Sequence, residues 1–318
     1  MKKGLIITAI ILCIAGLTFF AAAFILSGFD LSKLGTAEYE TSTYVPDGEF
    51  RNIEIKTSET DIVFIPSSDG RFSVECTEIK NASHSVSVED GTLRIEREDT
   101  RGWFELLRLF GRPLTMTVYL PSDAYGTLNI ENSTGKVSVP DGFSFDSAVI
   151  SVSTGSVSFG SGVTGPLNIT SSTGSVNVTG TDAGEINITV STGSVTAESI
   201  TCRGAFSVKT STGRTLLKNA ECAALSAESR TGAVSLENVI ASESLSIDVR
   251  TGSVHFDRCD ADEIKVKTTT GSVSGTLLSD KIFNAKTSTG FVRVPDSSSG
   301  GKCEITTSTG SINIEIAK

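Results

Sequence analysis

Two histidines, six cysteines and a long ladder of hydroxyls are the groups of this 318-residue chain that could do chemistry. The hydroxyls are the most regular. A threonine stands immediately before a glycine ten times, as Thr134-Gly135, Thr154-Gly155, Thr173-Gly174, Thr192-Gly193, Thr212-Gly213 and so on to Thr309-Gly310, one pair every 19 or 20 residues. Before each threonine lies Ser133, Ser153, Ser172, Ser191, Ser211, Arg230, Arg250, Thr269, Ser288 or Ser308. Such a ladder facing outward can bind glycans or ordered water, including ice; held inside a turn, the same hydroxyls bond one another or the backbone. Cys202 and Cys222 are 20 residues apart and share one offset from their glycines, so they stack in neighbouring coils, close enough for a disulfide. The other reading is a stack of small buried side chains, because Ala241 and Ala261 continue the same column. Cys259 and Cys303 fall in apolar columns as buried thiols, and no cysteine has zinc-ligand spacing. His255 occupies an outward slot that is Ser or Asn in most coils. Acidic residues are scattered, without the paired carboxylates that glycan hydrolysis needs. No calcium-binding nonapeptide, nucleophile elbow or phosphate loop occurs. The residues therefore point to a non-enzymatic protein with no cofactor and no metal, the enzymatic alternative being a glycan-active β-helix.

The elements that must carry these groups follow from the period. Self-similarity at this length marks a stacked repeat protein in which no unit buries its own apolar face alone. Seven residues before each glycine the chain carries Leu128, Ala148, Leu167, Ile186, Phe206, Leu225, Leu245, Ile264, Phe283 or Cys303, and five before it Ile130, Ile150, Ile169, Ile188 and their equivalents. Two after it come Val137, Val157, Val176 and Val195, and four after it Val139, Phe159, Val178 and Ala197. Polar residues fill the gaps, so the alternation has the period of two that a half-buried strand requires. The predicted fold is all-β: a single-stranded β-solenoid of about ten coils, turning at the Thr-Gly pair, with a less regular third side. Parity points the threonine side chains inward or into the turn. Charged residues four before the glycine place Lys209 opposite Glu228 and Asp248 opposite Lys267, ordinary cross-strand partners without assigned function.

Four regions are expected: residues 1–29 a membrane anchor or signal peptide, 30–49 a linker, 50–125 an irregular β cap with degenerate first coils, and 126–318 the regular solenoid. Lys2 and Lys3 precede an uncharged run from Gly4 to Phe29, enough to span a bilayer with the N-terminus cytoplasmic and the solenoid outside. This makes residues 4–29 the expected membrane contact and the protein single-pass; Ala21-Ala22-Ala23 keeps a cleaved signal peptide open. Within the cap, residues 102–111 break the strand pattern, with Trp103, Leu106, Leu107 and Phe110 at helical spacing; Trp103, Phe104, Leu107 and Phe110 either pack on the first coil or contact a membrane interface or partner. The C-terminal Ile312, Ile314 and Ile316 lack a comparable cap, which leaves that end open to self-association. Apart from Lys2 and Lys3, 25 basic residues face 37 acidic ones, a balance of −12 that argues against nucleic acid as a partner.

The recurring Ser-Thr-Gly-Ser-Val turn, the Leu-x-Ile strand before it, Val234-Ser235-Leu236-Glu237-Asn238-Val239 and the Tyr119-Leu120-Pro121 entry resemble the bacterial "putative adhesin" family of β-solenoid domains, over about residues 50 to 318. The resemblance implies an exported envelope protein, often anchored by one helix, and supplies no catalytic or binding residues. Two functions are then in view: a binding, adhesion or scaffold module engaging a cell-wall glycan or envelope protein, and an envelope-stress regulator binding cationic peptides. The second would lose affinity steeply with salt.

Overall fold

The computed structural model describes residues 2–26, 28, 39–79, 83–97 and 114–317. Within them the chain forms a helix, Lys2–Leu26, followed by strands that hydrogen-bond into one continuous sheet wound as a β-solenoid. Successive coils stack in parallel and in register. Leu167 lies between Ala148 and Ile186, and Ile169 between Ile150 and Ile188. Like residues therefore repeat at the strand spacing of about 4.8 Å, which is why a column of similar β-branched residues makes a core with few gaps. The columns seven and five before the glycine, and two and four after it, are buried through the body of the rod. Coils of 19 and 20 residues coexist because bulges on the third side, such as that between Cys222 and Ala224, absorb the extra residue.

Glycine is required at the corner by the stacking itself. Each corner glycine from Gly135 to Gly310 has φ between +134° and +154°. A Cβ built on Gly213 would lie 2.5 Å from the carbonyl carbon of Gly193 and closer still to its oxygen. One coil's corner carbonyl thus occupies the space of the next coil's missing side chain. The corner is closed by a ladder in which Gly155 N–H donates to Thr173 O at 2.8 Å and Gly174 N–H to Thr192 O at 2.9 Å.

At both ends the layers are out of chain order. The strand Asn52–Pro66 runs unbroken through its corner, with Thr60 O standing under Gly135 where a glycine carbonyl would be. It lies between the following coil, Ala124–Thr134 with Val137–Val139, and an outer layer of Thr92–Glu96 and Leu114–Leu120. Antiparallel strands Ser85–Glu89 and Ser73–Ile79 flank that outer layer, and Tyr39–Tyr44 adds to Ser73–Ile79. At the other end Lys281–Thr289 and Val292–Arg293 form the outermost layer, and the final segment, Gly301–Thr309 and Ile312–Ile316, inserts beneath it. The expectation of an open end at Ile312 and Ile314 is corrected by this insertion: both are buried, and the exposed apolar residues are Ile282, Phe291 and Val292 of the layer outside them.

The expected membrane anchor is also corrected. Among the described residues no helix is long and apolar enough to cross a membrane, which overturns the single-pass localisation read from residues 4–29.

Candidate functional site

The long strand of each coil sends alternate side chains to the two faces. In Ala205–Thr212, Phe206, Val208 and Thr210 are buried, while Ser207, Lys209 and Ser211 face solvent to differing degrees. Repeated through the stack, the outward residues six, four and two before the glycine form one polar flank. Serines leave room beside the longer side chains in two places, two before the glycine at Ser133, Ser153 and Ser172, and six before it at Ser226 and Ser246. Two hollows result. One, of about 550 Å³, lies beside Lys56, Glu131, Ser133, Ser153, Thr170 and Ser172. The other, of about 660 Å³, lies beside Lys209, Thr210, Glu228, Arg230, Asp248 and Arg250. The expected cross-coil partners are in register: Lys209 opposite Glu228, with Nζ to Oε1 at 3.2 Å, and Asp248 opposite Lys267. Both members of the Lys209–Glu228 pair are about half exposed, so it contributes at most ~1 kcal/mol.

The threonines of the Thr-Gly pairs lie outside, contrary to the inward parity expected of them. All ten, from Thr134 to Thr309, are exposed. The strand bends one step earlier than the apolar pattern implies. The residue three before the glycine is the last to face in, and the next two both face out. The hydroxyl duty at the turn belongs to that third residue: Thr268 Oγ1 donates to Gly252 O at 3.3 Å, Thr287 Oγ1 to Gly310 O at 2.8 Å and Thr307 Oγ1 to Gly271 O at 3.0 Å. A second corner, six residues after the glycine, holds Ser199, Asn219, Asn238 and Arg258 at φ from +49° to +58°. Asn238 Nδ2 donates to Asn219 Oδ1 at 3.0 Å there. Asparagine tolerates this left-handed geometry best among non-glycine residues, which is the signal in the sequence for that corner.

The cap contains a buried polar cluster that spacing did not reveal. Cys76 and Glu78 alternate inward on Ser73–Ile79 and meet His84 from across a short connection, their donor atoms within 4.8 Å of one another. These are metal-ligand types, yet the carboxylate is already engaged. It accepts from Tyr44 Oη at 2.8 Å, from the His84 backbone N–H at 2.6 Å and from the His84 ring through Nδ1 at 2.8 Å. Burial pulls the Glu78 carboxyl upward, but these hydrogen bonds outweigh it and hold it below its ordinary value. Burial depresses His84 despite Glu78 beside it, so the imidazole is neutral and donates through Nδ1. The side chains of both residues are closed to solvent, so the cluster braces the cap and has no open face for a substrate.

Trp103, Phe104, Leu107 and Phe110 lie outside the described residues. Cys202 and Cys222 are buried free thiols, with Cys202 Sγ directed at Ala205 O, 3.4 Å away. His255 is exposed, its ring 3.4 Å from Ser274 Oγ. The change of chemistry at Arg230 and Arg250, in a column otherwise of Ser and Thr, is visible in the sequence. Only the hollow beside them gives it a setting.

The family model described as Toastrack DUF4097 matches residues 50–214 and 204–318. Comparison with curated proteins gives no match. Among solved structures, a "putative lipid binding protein" from Parabacteroides distasonis aligns at a TM-score of 0.51 with 16% identity, covering 88% of this chain and 98% of its own. A "putative adhesin" from Bacteroides fragilis aligns at 0.44 with 18% identity, covering 87% and 97%. Another from Parabacteroides distasonis aligns at 0.48 with 14% identity, covering 88% and 98%.

Proposed function

The chain belongs to the Toastrack DUF4097 family, and we propose that it is a non-catalytic binding module that lays an extended ligand along its polar flank. The observation that carries this reading is the flank itself. Outward residues of many coils repeat in register at the strand spacing, with two hollows on one line of columns. A surface of that kind offers the same weak contact again and again, so a linear polymer with a short repeat gains affinity by addition along the rod. Rigid strands hold the contacting groups, which keeps the ordering cost of binding low. The non-catalytic part is supported by the cap cluster. Its carboxylate and imidazole are closed to solvent, and general acid–base chemistry needs both within reach of a substrate. The relative of like fold at a TM-score of 0.51 is likewise named for binding.

A cell-wall glycan is the polymer proposed first, because the exposed serines, threonines and asparagines of the flank suit the hydroxyls of a sugar chain. The test is co-sedimentation of the full chain with purified bacterial cell-wall sacculi at low and high salt. Binding that survives high salt supports hydroxyl recognition of the wall. No sedimentation at either salt concentration would overturn the wall as the ligand.

A further inference from the structure

We propose that the hollow at Arg230 and Arg250 is an oxyanion site, receiving a phosphate or sulfate group of a linear polymer that lies along the flank. The proposal rests on the binding-module reading and narrows it to one set of coils.

Two observations meet at this hollow. First, the column two before the glycine is Ser or Thr in eight coils and arginine only in the two consecutive coils of Gly232 and Gly252. The register brackets them, with Ser229 opposite Val249 and Thr231 opposite Thr251, so the two arginines stand one above the other. Cations one strand spacing apart repel. A planar guanidinium with several fixed donors is the side chain best shaped to grip an oxyanion, and two of them one layer apart can share one.

Second, the charges around the hollow leave the arginines unneutralised. Lys209 and Glu228 answer each other at 3.2 Å. That leaves Asp248 as the acidic residue on the hollow's wall against Arg230 and Arg250. The next coil adds Lys265 opposite Ser246 and Lys267 opposite Asp248. This flank is thus locally basic on a chain whose net charge is −10. A local reversal against the overall field selects anions at this position and repels them elsewhere.

The experiment uses the full chain and inorganic polyphosphate as the probe, with dextran sulfate and neutral dextran alongside, by titration calorimetry at low and high salt. Polyphosphate and dextran sulfate should bind, neutral dextran should not bind here, and affinity should fall as salt rises. The double variant R230S/R250S installs the residue the column carries elsewhere, so it should fold as the parent does. It should bind polyphosphate at least about tenfold more weakly, as loss of two charge-assisted contacts requires. Inorganic phosphate alone, if it binds with the same arginine dependence, locates the site on the group; polymer-only binding adds the flank. The proposal is overturned if the double variant binds polyphosphate as the parent does, or if the parent binds neither polyanion. Either result would leave salt-resistant binding to sacculi standing on its own, and failure on sacculi would not touch the polyphosphate result.

Discussion

Replacing Gly213 by alanine tests the stacking argument where it is sharpest. The glycine sits at φ +146°, a region that other residues rarely adopt, with a strain of ~1–3 kcal/mol. The new Cβ would lie 2.5 Å from the carbonyl carbon of Gly193, whereas carbon atoms in contact rest ~3.5–4.0 Å apart. The corners must separate by about 1 Å. That stretches the ladder bonds Gly193 N–H to Thr212 O at 2.9 Å and Val195 N–H to Arg214 O at 2.9 Å, at ~1 kcal/mol each. The sum is about 3–5 kcal/mol. Gly180 is the internal control. Its φ is +67° and nothing lies within 4 Å of a built Cβ, so alanine there meets only the left-handed penalty of ~1–2 kcal/mol. Urea unfolding followed by circular dichroism measures both, with amide exchange across residues 205–234 locating the damage. A long stack can lose cooperativity, and in that case exchange in the altered coil becomes the primary reading. If the two variants cost the same within about 0.5 kcal/mol, the corner carbonyl does not occupy the glycine's space and the reasoning is wrong.

Burial pushes the thiols of Cys76, Cys222 and Cys303 up to about 12 and that of Cys259 to about 11. Folded values above the ordinary 9.0 mean stability that is complete below pH 9 and falls as pH rises from 9 toward 12, so the urea midpoint should be lower at pH 10.5 than at pH 8. In the native chain at pH 8 a thiol reagent should modify exposed Cys13 quickly and the five buried cysteines only after unfolding. Glu78 and His84 are both depressed, so what they contribute is present above their ordinary values of 4.5 and 6.5 and lost as pH falls through them. Amide protection in Ser73–Ile79, the exchange rate taken relative to the intrinsic rate at each pH, should therefore fall below pH 6.5 before it does in the central coils, and Glu78→Gln should cost ~2–3 kcal/mol; unchanged protection there at pH 5 would refute this. Thr192→Val alters a side chain on the outer ridge and should shift stability by no more than ~0.5 kcal/mol, whereas a cost above ~1.5 kcal/mol would put that hydroxyl back inside the turn.

The coil length, the glycine at each corner and the inward columns at Leu167, Ile169, Val176 and Val178 were all legible from residue order. Each is a local consequence of strand alternation and of a corner too crowded for a Cβ, repeated often enough to be read. Side-chain direction at the corner was not. Whether Thr173 faces in or out depends on where the strand bends, and the bend is set by the layers above and below. The order of the end layers was equally hidden. Coils with the same columns offer the same hydrogen-bonding edge, so the periodicity is unchanged whether Gly301–Thr309 lies outside Lys281–Thr289 or beneath it. Tertiary packing decides, and it buries Ile312 and Ile314 while exposing Phe291. The Glu78–His84–Tyr44 cluster belongs to the part of the chain without repeats, where no second copy flags a position. The hollow at Arg230 and Arg250 combines both levels: the sequence holds the substitution of Ser by Arg in two successive coils, and only the folded stack sets the two side chains one above the other beside Lys209 and Asp248. Residue order determines what repeats because strand geometry is local. The layer contacts decide what each repeat exposes, because exposure depends on neighbours distant in the chain.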